Sequence, residues 1–371
     1  VEMFIHGADS HLGYYQYNLK ERADDFMKNF EIAMSKNPDF FLWAGDIFHN
    51  RQVDPTTLIQ VRKILEGVKK RQIPVFAIPG NHDKNFFKGQ TWLDYLHVNG
   101  LLKLCTSAKD NHYDFGKYRI YGFVCYDDLS EFLKKKQIIK GQKKVIMMLH
   151  EGIQNTTMGK TIDYGMLDKI KELGVDYLAL GHVHNPYTRA GWIFNPGSCE
   201  RTAIDGENGG YYVVDDELKA KFEPYKVRPN GIISVDVTSL TISDIKKRVE
   251  QKLSVLSLPP TAIISITLYG KSDRAFLPKQ FEPKGYFYVQ MKNNTQTSLI
   301  DVTHEVLTSS EAEERVLLAV TKGRPDVRYL IEQLRMMGDK KLTVYDILGV
   351  VSNAAGKCER SERSDEKDHT S

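Results

Sequence analysis

Five short polar strings, each following an apolar run, constrain this chain more than any other feature. They are Asp9-Ser10-His11, Gly45-Asp46, Gly80-Asn81-His82-Asp83, His150 and Gly181-His182-Val183-His184. The runs ahead of them, residues 3–5, 40–43, 75–78, 145–149 and 177–180, read as strands. Further strand-like runs lie at 119–124 and 192–194, and helical spacing recurs at 19–35, 55–71 and 91–97. Strands alternating with helices predict a layered α/β domain. In such domains ligands collect beyond the carboxyl ends of strands, and all five strings fall there. Neighbouring strands would deliver carboxylates, imidazoles and one amide to a single crevice.

The donor types narrow the chemistry. Asp9 and Asp46, Asn81, and His11, His150, His182 and His184 supply two carboxylates, one amide and four imidazoles, with no thiolate. This set suits an octahedral site for manganese, iron or a mixed pair, whereas a closed structural zinc site more often uses cysteine. Asp46 has the chemistry to bridge two ions roughly 3.5–4 Å apart, the usual separation in two-metal hydrolases. Such a pair acidifies a bound water and offsets charge on the attacking and leaving oxygens of a phosphate ester. The glycines before Asp46, Asn81 and His182 fit tight turns where a side chain would obstruct the metals. Of eleven histidines, His11, His49, His82, His150, His182 and His184 lie in or beside the strings. His6, His97, His112, His304 and His369 have no such context, and His6, within the first strand, is expected to be packed.

With 371 residues the chain exceeds one ordinary core. Residues 1–228 carry the strings. Residues 229–295 open at the turn Pro229-Asn230-Gly231 and read as a small α/β unit, with strands at 232–237, 261–268 and 286–291 and a helix at 243–253. Residues 296–355 read as a linker and a helix-loop-helix with apolar Leu317, Leu330 and Leu334 and a capping box at Ser310 and Glu313. Residues 356–371 are charged and Ser-rich, and are expected to be disordered. A net charge of +3 is too small for bulk charge to argue a nucleic-acid partner, so any basic surface would have to be local. No apolar run approaches the roughly 18–20 residues of a membrane span, so no membrane partner is expected. The strand-like start lacks a basic segment, so a signal peptide is not expected. Cys105, Cys125, Cys199 and Cys358 lack CxxC spacing and read as reduced thiols of a cytosolic protein.

The order D-x-H, GD, GNHD, H, GHxH resembles the calcineurin-like metallophosphoesterase superfamily. Asp9-Ser10-His11-Leu12-Gly13-Tyr14 and Gly45-Asp46-Ile47-Phe48-His49 resemble more narrowly the SbcD and meiotic-recombination-eleven nucleases. So does Asn195-Pro196-Gly197-Ser198 followed by Glu200-Arg201. The resemblance covers residues 1–228 closely and the rest loosely. It implies a two-sheet αββα sandwich, a small α/β capping domain and a C-terminal helical segment. It implies two Mn2+ per subunit, one held by Asp9, His11, Asp46 and His184, the other by Asp46, Asn81, His150 and His182. His82 would face the scissile phosphate, His49 would position it or rotate the DNA end, and Asp83 would orient a histidine.

The implied activity is 3'-5' exonuclease and single-strand endonuclease action on DNA double-strand-break ends. The implied partners are a second copy, through helices 55–71 and 91–97, and an SMC-like ATPase of the SbcC type docked on Leu317, Leu330 and Leu334. A helix-turn-helix DNA binder is the rival reading of that last segment. The implied location is cytoplasmic, and with the nucleoid if the source is prokaryotic. From the residues themselves, Tyr14, Tyr17, Asn18 and Arg51, with Arg22 and the loop 85–88, are placed against the DNA backbone. The superfamily also hydrolyses monoesters and cyclic nucleotides, so a small-molecule phosphomono- or diesterase is the alternative. A non-catalytic DNA-end tether is the third reading.

Overall fold

The computed structural model describes residues 2–84, 89–105, 112–124, 126–134, 141–156, 161–272 and 278–297. Leu317, Leu330 and Leu334, the helix-loop-helix, the charged tail and the loop 85–88 lie outside the described residues. In chain order the strands are β1 (Met3–Gly7), β2 (Phe40–Ala44), β3 (Val75–Ile78), β4 (Lys103–Leu104), β5 (His112–Phe115), β6 (Tyr118–Phe123), β7 (Lys144–Leu149), β8 (Tyr177–Leu180), β9 (Tyr187–Arg189), β10 (Ile193–Asn195), β11 (Gly210–Asp215), β12 (Ala220–Pro224), β13 (Asn230–Asp236), β14 (Ile263–Ser272) and β15 (Tyr288–Thr297). The helices are α1 (Lys20–Met34), α2 (Pro55–Lys70), α3 (Trp92–Val98), α4 (Tyr126–Lys134), α5 (Tyr164–Glu172) and α6 (Ile242–Leu256).

Two units divide the chain. The first takes residues up to 232, with 256–265 and 285–290; the second takes 233–255, 266–284 and the residues from 291 onward. In the first unit two six-stranded sheets are ordered β12-β11-β1-β2-β3-β4 and β5-β6-β7-β8-β10-β9. β1, β2, β3 and β4 are mutually parallel, as are β6, β7, β8 and β10, while β11 and β9 run antiparallel at the flanks.

The strand sequence explains the layering. Successive side chains point to opposite faces, and Phe40-Phe41-Leu42-Trp43 is apolar at every position, so β2 is covered on both faces. Phe40 and Leu42 pack between the sheets with Phe4, Phe76, Ile146 and Tyr177. Phe41 and Trp43 face outward onto Phe26 and Phe30 of α1 and Val61 and Leu65 of α2. On the far side, Val145, Met147 and Leu178 pack against Met166, Leu167 and Ile170 of α5. The result is the four-layer αββα sandwich that the resemblance implied.

Local signals set the helix starts. Asp54 caps α2 ahead of Pro55, and Thr91 and Asp94 form a reciprocal capping box on α3. The run expected at 119–124 starts one residue earlier, and the one at 192–194 a residue later. Strands β4, β5, β9, β11 and β12 and helices α4 and α5 carried no period that marked them in the sequence; several are short or alternate around polar residues.

The third sheet is ordered β13-β14-β15, and α6 lies between β13 and β14 in the chain. Alternate residues Ile233 and Val235 of β13 are buried, and α6 buries Ile245, Val249 and Leu253 at four-residue spacing. No helix among the described residues is long and apolar enough to cross a membrane.

Candidate metal centre

The carboxyl ends of β1, β2, β3, β7 and β8 open on one cleft, because β2 of the first sheet packs against β7 and β8 of the second. Backbone bonds then set the loops against each other. Asp9 N–H donates to Gly45 O at 3.0 Å, His11 N–H to Asp46 O at 3.0 Å, and Gly181 N–H to Leu149 O at 3.1 Å. Asp9, His11, Asp46 and His182 all have positive φ, of 49°, 42°, 48° and 84°. Residues other than glycine adopt that region at a cost, and such strain concentrates at functional sites. The glycines answer a packing demand. A Cβ on Gly45 would fall on the His150 ring, one on Gly80 on the Asp46 carboxylate, and one on Gly181 on Ala44 O. Ligand side chains at Gly45 and Gly80, and a backbone carbonyl at Gly181, are therefore what exclude a larger residue, ahead of any metal.

All seven predicted donors converge. His150 Nε2 lies 3.2 Å from Asp46 Oδ2 and 3.2 Å from Asn81 Oδ1. Asn81 Oδ1 is also 3.1 Å from His182 Nδ1. On the other side, His11 Nε2 lies 2.9 Å from His184 Nε2, 4.0 Å from Asp9 Oδ1 and 3.9 Å from Asp46 Oδ2. Asp46 thus touches both groups. His150 donates from Nδ1 to Ala44 O at 2.7 Å, which leaves Nε2 aimed into the cleft. Two imidazole nitrogens facing each other at 2.9 Å beside buried carboxylates are a donor set that fits divalent metal ions.

His82 stands apart from this set. Its backbone N–H donates to Asp46 Oδ1 at 2.8 Å, and its Nδ1 donates to His49 O at 2.6 Å, so Nε2 is left for proton chemistry. His11, His49 and His82 also come together, but that group holds no carboxylate.

Burial and charge act against each other in the cleft. Burial raises the Asp9 carboxyl well above the usual range; the His150 charge opposes the shift and Asp46 adds to it. Burial also works to raise Asp46, yet the charge and hydrogen bond of His150, with His11, pull it below the usual range. His150 is correspondingly raised, because Asp46 outweighs the cost of burying its charge. Burial, opposed by the Asp46 charge and aided by the neighbouring histidines, lowers His11 and takes His184 down to about 4, so both are neutral near pH 7 and competent as ligands. Burial thus favours a proton on Asp9, and the Asp46 charge favours one on His150; a bound dication would displace both.

Comparison with known proteins agrees with this geometry. The calcineurin-like phosphoesterase family profile matches residues 3–186. The DNA double-strand break repair protein Mre11 of Archaeoglobus fulgidus is 33% identical over 229 residues, covering 53% of this chain and 50% of that protein. The protein of the same name from Methanocaldococcus jannaschii is 28% identical over 265 residues, covering 66% of each. That from Methanococcus maripaludis is 30% identical over 282 residues, covering 67% of this chain and 73% of the relative. The chain belongs to the Mre11 family. It spans half the length of the Archaeoglobus relative.

The rim of this Mre11-type cleft differs from its floor. Tyr14 stacks on His49 with ring centroids 3.8 Å apart and also packs on Phe26. Burial, with the His82 charge, lowers His49 to about 4. Tyr17 has φ 62° and stacks on Tyr288 of the same unit at 4.1 Å. Asn18 is exposed, with φ 59°. Arg51 is half-buried; its Nε donates to Lys84 O, and its carbonyl accepts from Trp92 Nε1 at 3.0 Å. The expectation for Arg22 is corrected. It is 1% exposed and its guanidinium is committed to Gln16, Asp25 and Glu200, so it presents nothing to a DNA backbone.

Asp83 is a second correction. Its carboxylate orients no histidine but accepts from the backbone N–H groups of Ile47, Phe48 and Gly80, tying the second string to the third. His6 is packed as expected, bonded to Tyr177 Oη at 3.0 Å and Leu180 O at 3.1 Å. Two residues had no role in the sequence reading. Asn195 donates to Val183 O and Asn185 O, pinning the loop of the fifth string. Thr202 Oγ1 lies 2.5 Å from His184 Nδ1. Both lie in or just after the Asn195–Arg201 stretch, whose likeness to the family was the one signal pointing there. The cleft encloses about 440 Å³ and is lined by Asp46, Asn81, His82, His182, His184 and Arg201, among others.

Proposed function

We propose that this chain is a two-metal phosphodiesterase acting on DNA ends, a manganese-dependent 3'-5' exonuclease and single-strand endonuclease. The observation that carries the reading is the Asp46 carboxylate placed between two donor groups, with His82 beside it. Asp9, His11 and His184 complete one site with Asp46; Asn81, His150 and His182 complete the other. Bound ions would supply an acidified water and neutralise phosphate charge. The chain's residues do the rest. Ala44 O holds the His150 ring in the tautomer that ligates. His49 O holds the His82 ring so that Nε2 is poised to protonate the leaving oxygen. The Tyr14–His49 stack forms a flat aromatic wall against which a strand end is positioned.

The family relatives are named as DNA double-strand break repair proteins, which favours DNA over a small ester. A homodimer through α2 and α3, where Ile59 is 65% exposed, and an SMC-like ATPase bound by the C-terminal segment are parts of the same proposal. Residues 229–295 are assigned as the capping domain, and Tyr17, Asn18 and Arg51 as contacts to the DNA backbone.

One experiment separates the readings. Purified protein with Mn2+ is given duplex DNA with free ends and, separately, a chromogenic phosphodiester. Degradation of the duplex ends is expected. His82→Asn is expected to bind Mn2+ and DNA normally while cleavage falls about 10²–10⁴-fold. Hydrolysis of the small ester alone would overturn the nuclease reading in favour of a small-molecule esterase.

A further inference from the structure

A buried polar network runs from α1 to the metal cleft. Arg22 donates from Nε and Nη2 to Gln16 Oε1 at 2.9 and 2.8 Å. Gln16, 4% exposed, spends its own Nε2 on Thr202 O at 2.8 Å. Arg22 Nη2 also donates to Arg201 O at 3.2 Å. The guanidinium is neutralised by Asp25 at 2.7 Å and Glu200 at 3.4 Å, and Arg228 closes the far side through two bonds to Asp25 at 2.8 and 2.9 Å. Every one of these residues belongs to the first unit.

Two successive carbonyls, of Arg201 and Thr202, are therefore gripped from beneath. The hydroxyl of Thr202 is thereby held 2.5 Å from His184 Nδ1. An imidazole that ligates through Nε2 in its neutral form carries its proton on Nδ1 and needs an acceptor there. A Thr hydroxyl supplies that acceptor. Nothing else hydrogen-bonds His184 Nδ1 among the described bonds, whereas His150 uses a backbone carbonyl for the same purpose.

We propose that Thr202, anchored by Gln16 and Arg22, is a positioning residue for the metal centre, fixing the tautomer and ring orientation of His184. The inference rests on the metal-centre reading above and deepens it. A buried arginine is costly to leave unpaired, so the network opposes the loss of any one of its bonds. The metal affinity of one of the two sites then depends on α1, which contributes no ligand.

Mn2+ titration of the full chain, followed by the EPR signal of the free ion, tests this without any activity measurement. Thr202→Val keeps the shape and removes the acceptor; it is expected to weaken one of two ions by about 10- to 100-fold. Thr202→Ser keeps the hydroxyl and is expected to retain near wild-type binding. Gln16→Met is expected to weaken the same ion, with thermal unfolding run in parallel because it also strips Arg22 of an acceptor. Wild-type binding of both ions by Thr202→Val, while His184→Ala loses one, overturns the inference and leaves the metal centre standing. Wild-type binding of both ions by His184→Ala overturns the metal centre and the inference with it.

Discussion

The first sheet sends Asp9, His11, Asp46, Asn81 and His82 into the cleft, while the second sends His150, His182 and His184. Both carboxylates come from the first sheet, and the second offers imidazoles alone. The means of holding them differ as well. Donors of the first sheet sit on turns stitched by backbone bonds, with positive φ at Asp9, His11 and Asp46 and with Asp83 accepting three backbone N–H groups. On the second sheet His182 shares the positive φ, but His150 and His184 are oriented through the nitrogen facing away from the cleft, by Ala44 O and Thr202 Oγ1. The two carboxylates are steered by backbone N–H groups, Asp46 Oδ1 accepting from His82 and Asp9 from His182. An imidazole has a second nitrogen, and a single outer hydrogen bond steers it.

The largest test of this division is Asp46→Ala. If the two sheets build one shared centre, removing the common carboxylate abolishes binding of both ions and reduces DNA cleavage to background. His150→Gln should abolish only one ion, as measured by metal stoichiometry on the purified chain. Retention of one tightly held ion by Asp46→Ala would mean that the sheets build independent sites.

Asp83→Ala probes the backbone stitching. It leaves the N–H groups of Ile47, Phe48 and Gly80 without their acceptor in a buried loop. The expected cost is about 3 kcal/mol, read from urea unfolding of the metal-free protein. A cost near that of an exposed substitution, about 0.5 kcal/mol or less, would show that the loop is held by other means.

His6 tests how the sheets are joined, since it lies on β1 and bonds Tyr177 and Leu180 on β8. Burial lowers its pKa from 6.5 to about 3, against a backbone bond from Leu180 that works to raise it. Protonation therefore opposes folding. The stability that neutral His6 permits is complete above pH 6.5 and is lost as the pH falls toward 3. Between pH 6.5 and 5 the loss is about 2 kcal/mol at most. His6→Gln should lessen the slope of that portion of the stability–pH curve, to which His11, His49 and His184 also contribute, measured by unfolding midpoints at several pH values. An unchanged slope would remove His6 as one of its sources.

The sequence by itself determined the donor chemistry, the order of the strings and the strands that carry them. These depend on residue type and on short-range periodicity, and β2, β3 and β8 begin where their apolar runs begin. The helix caps at Asp54 and Thr91 are equally local. Tertiary structure alone decided which loops meet. Arg22 looked like a surface cation, because nothing near it in the sequence shows that Glu200 lies 3.4 Å away. Asp83 looked like a partner for a histidine until the parallel pairing of β2 with β3 brought the backbone of Ile47 and Phe48 over its carboxylate. Thr202 carried no signal of its own, and its role appears only because Gln16 and Arg22 draw its carbonyl beneath the cleft. The physical reason is the same in each case. Side-chain chemistry and periodicity are properties of neighbours along the chain, whereas burial and hydrogen-bond partners are set by sheet register and by packing between layers.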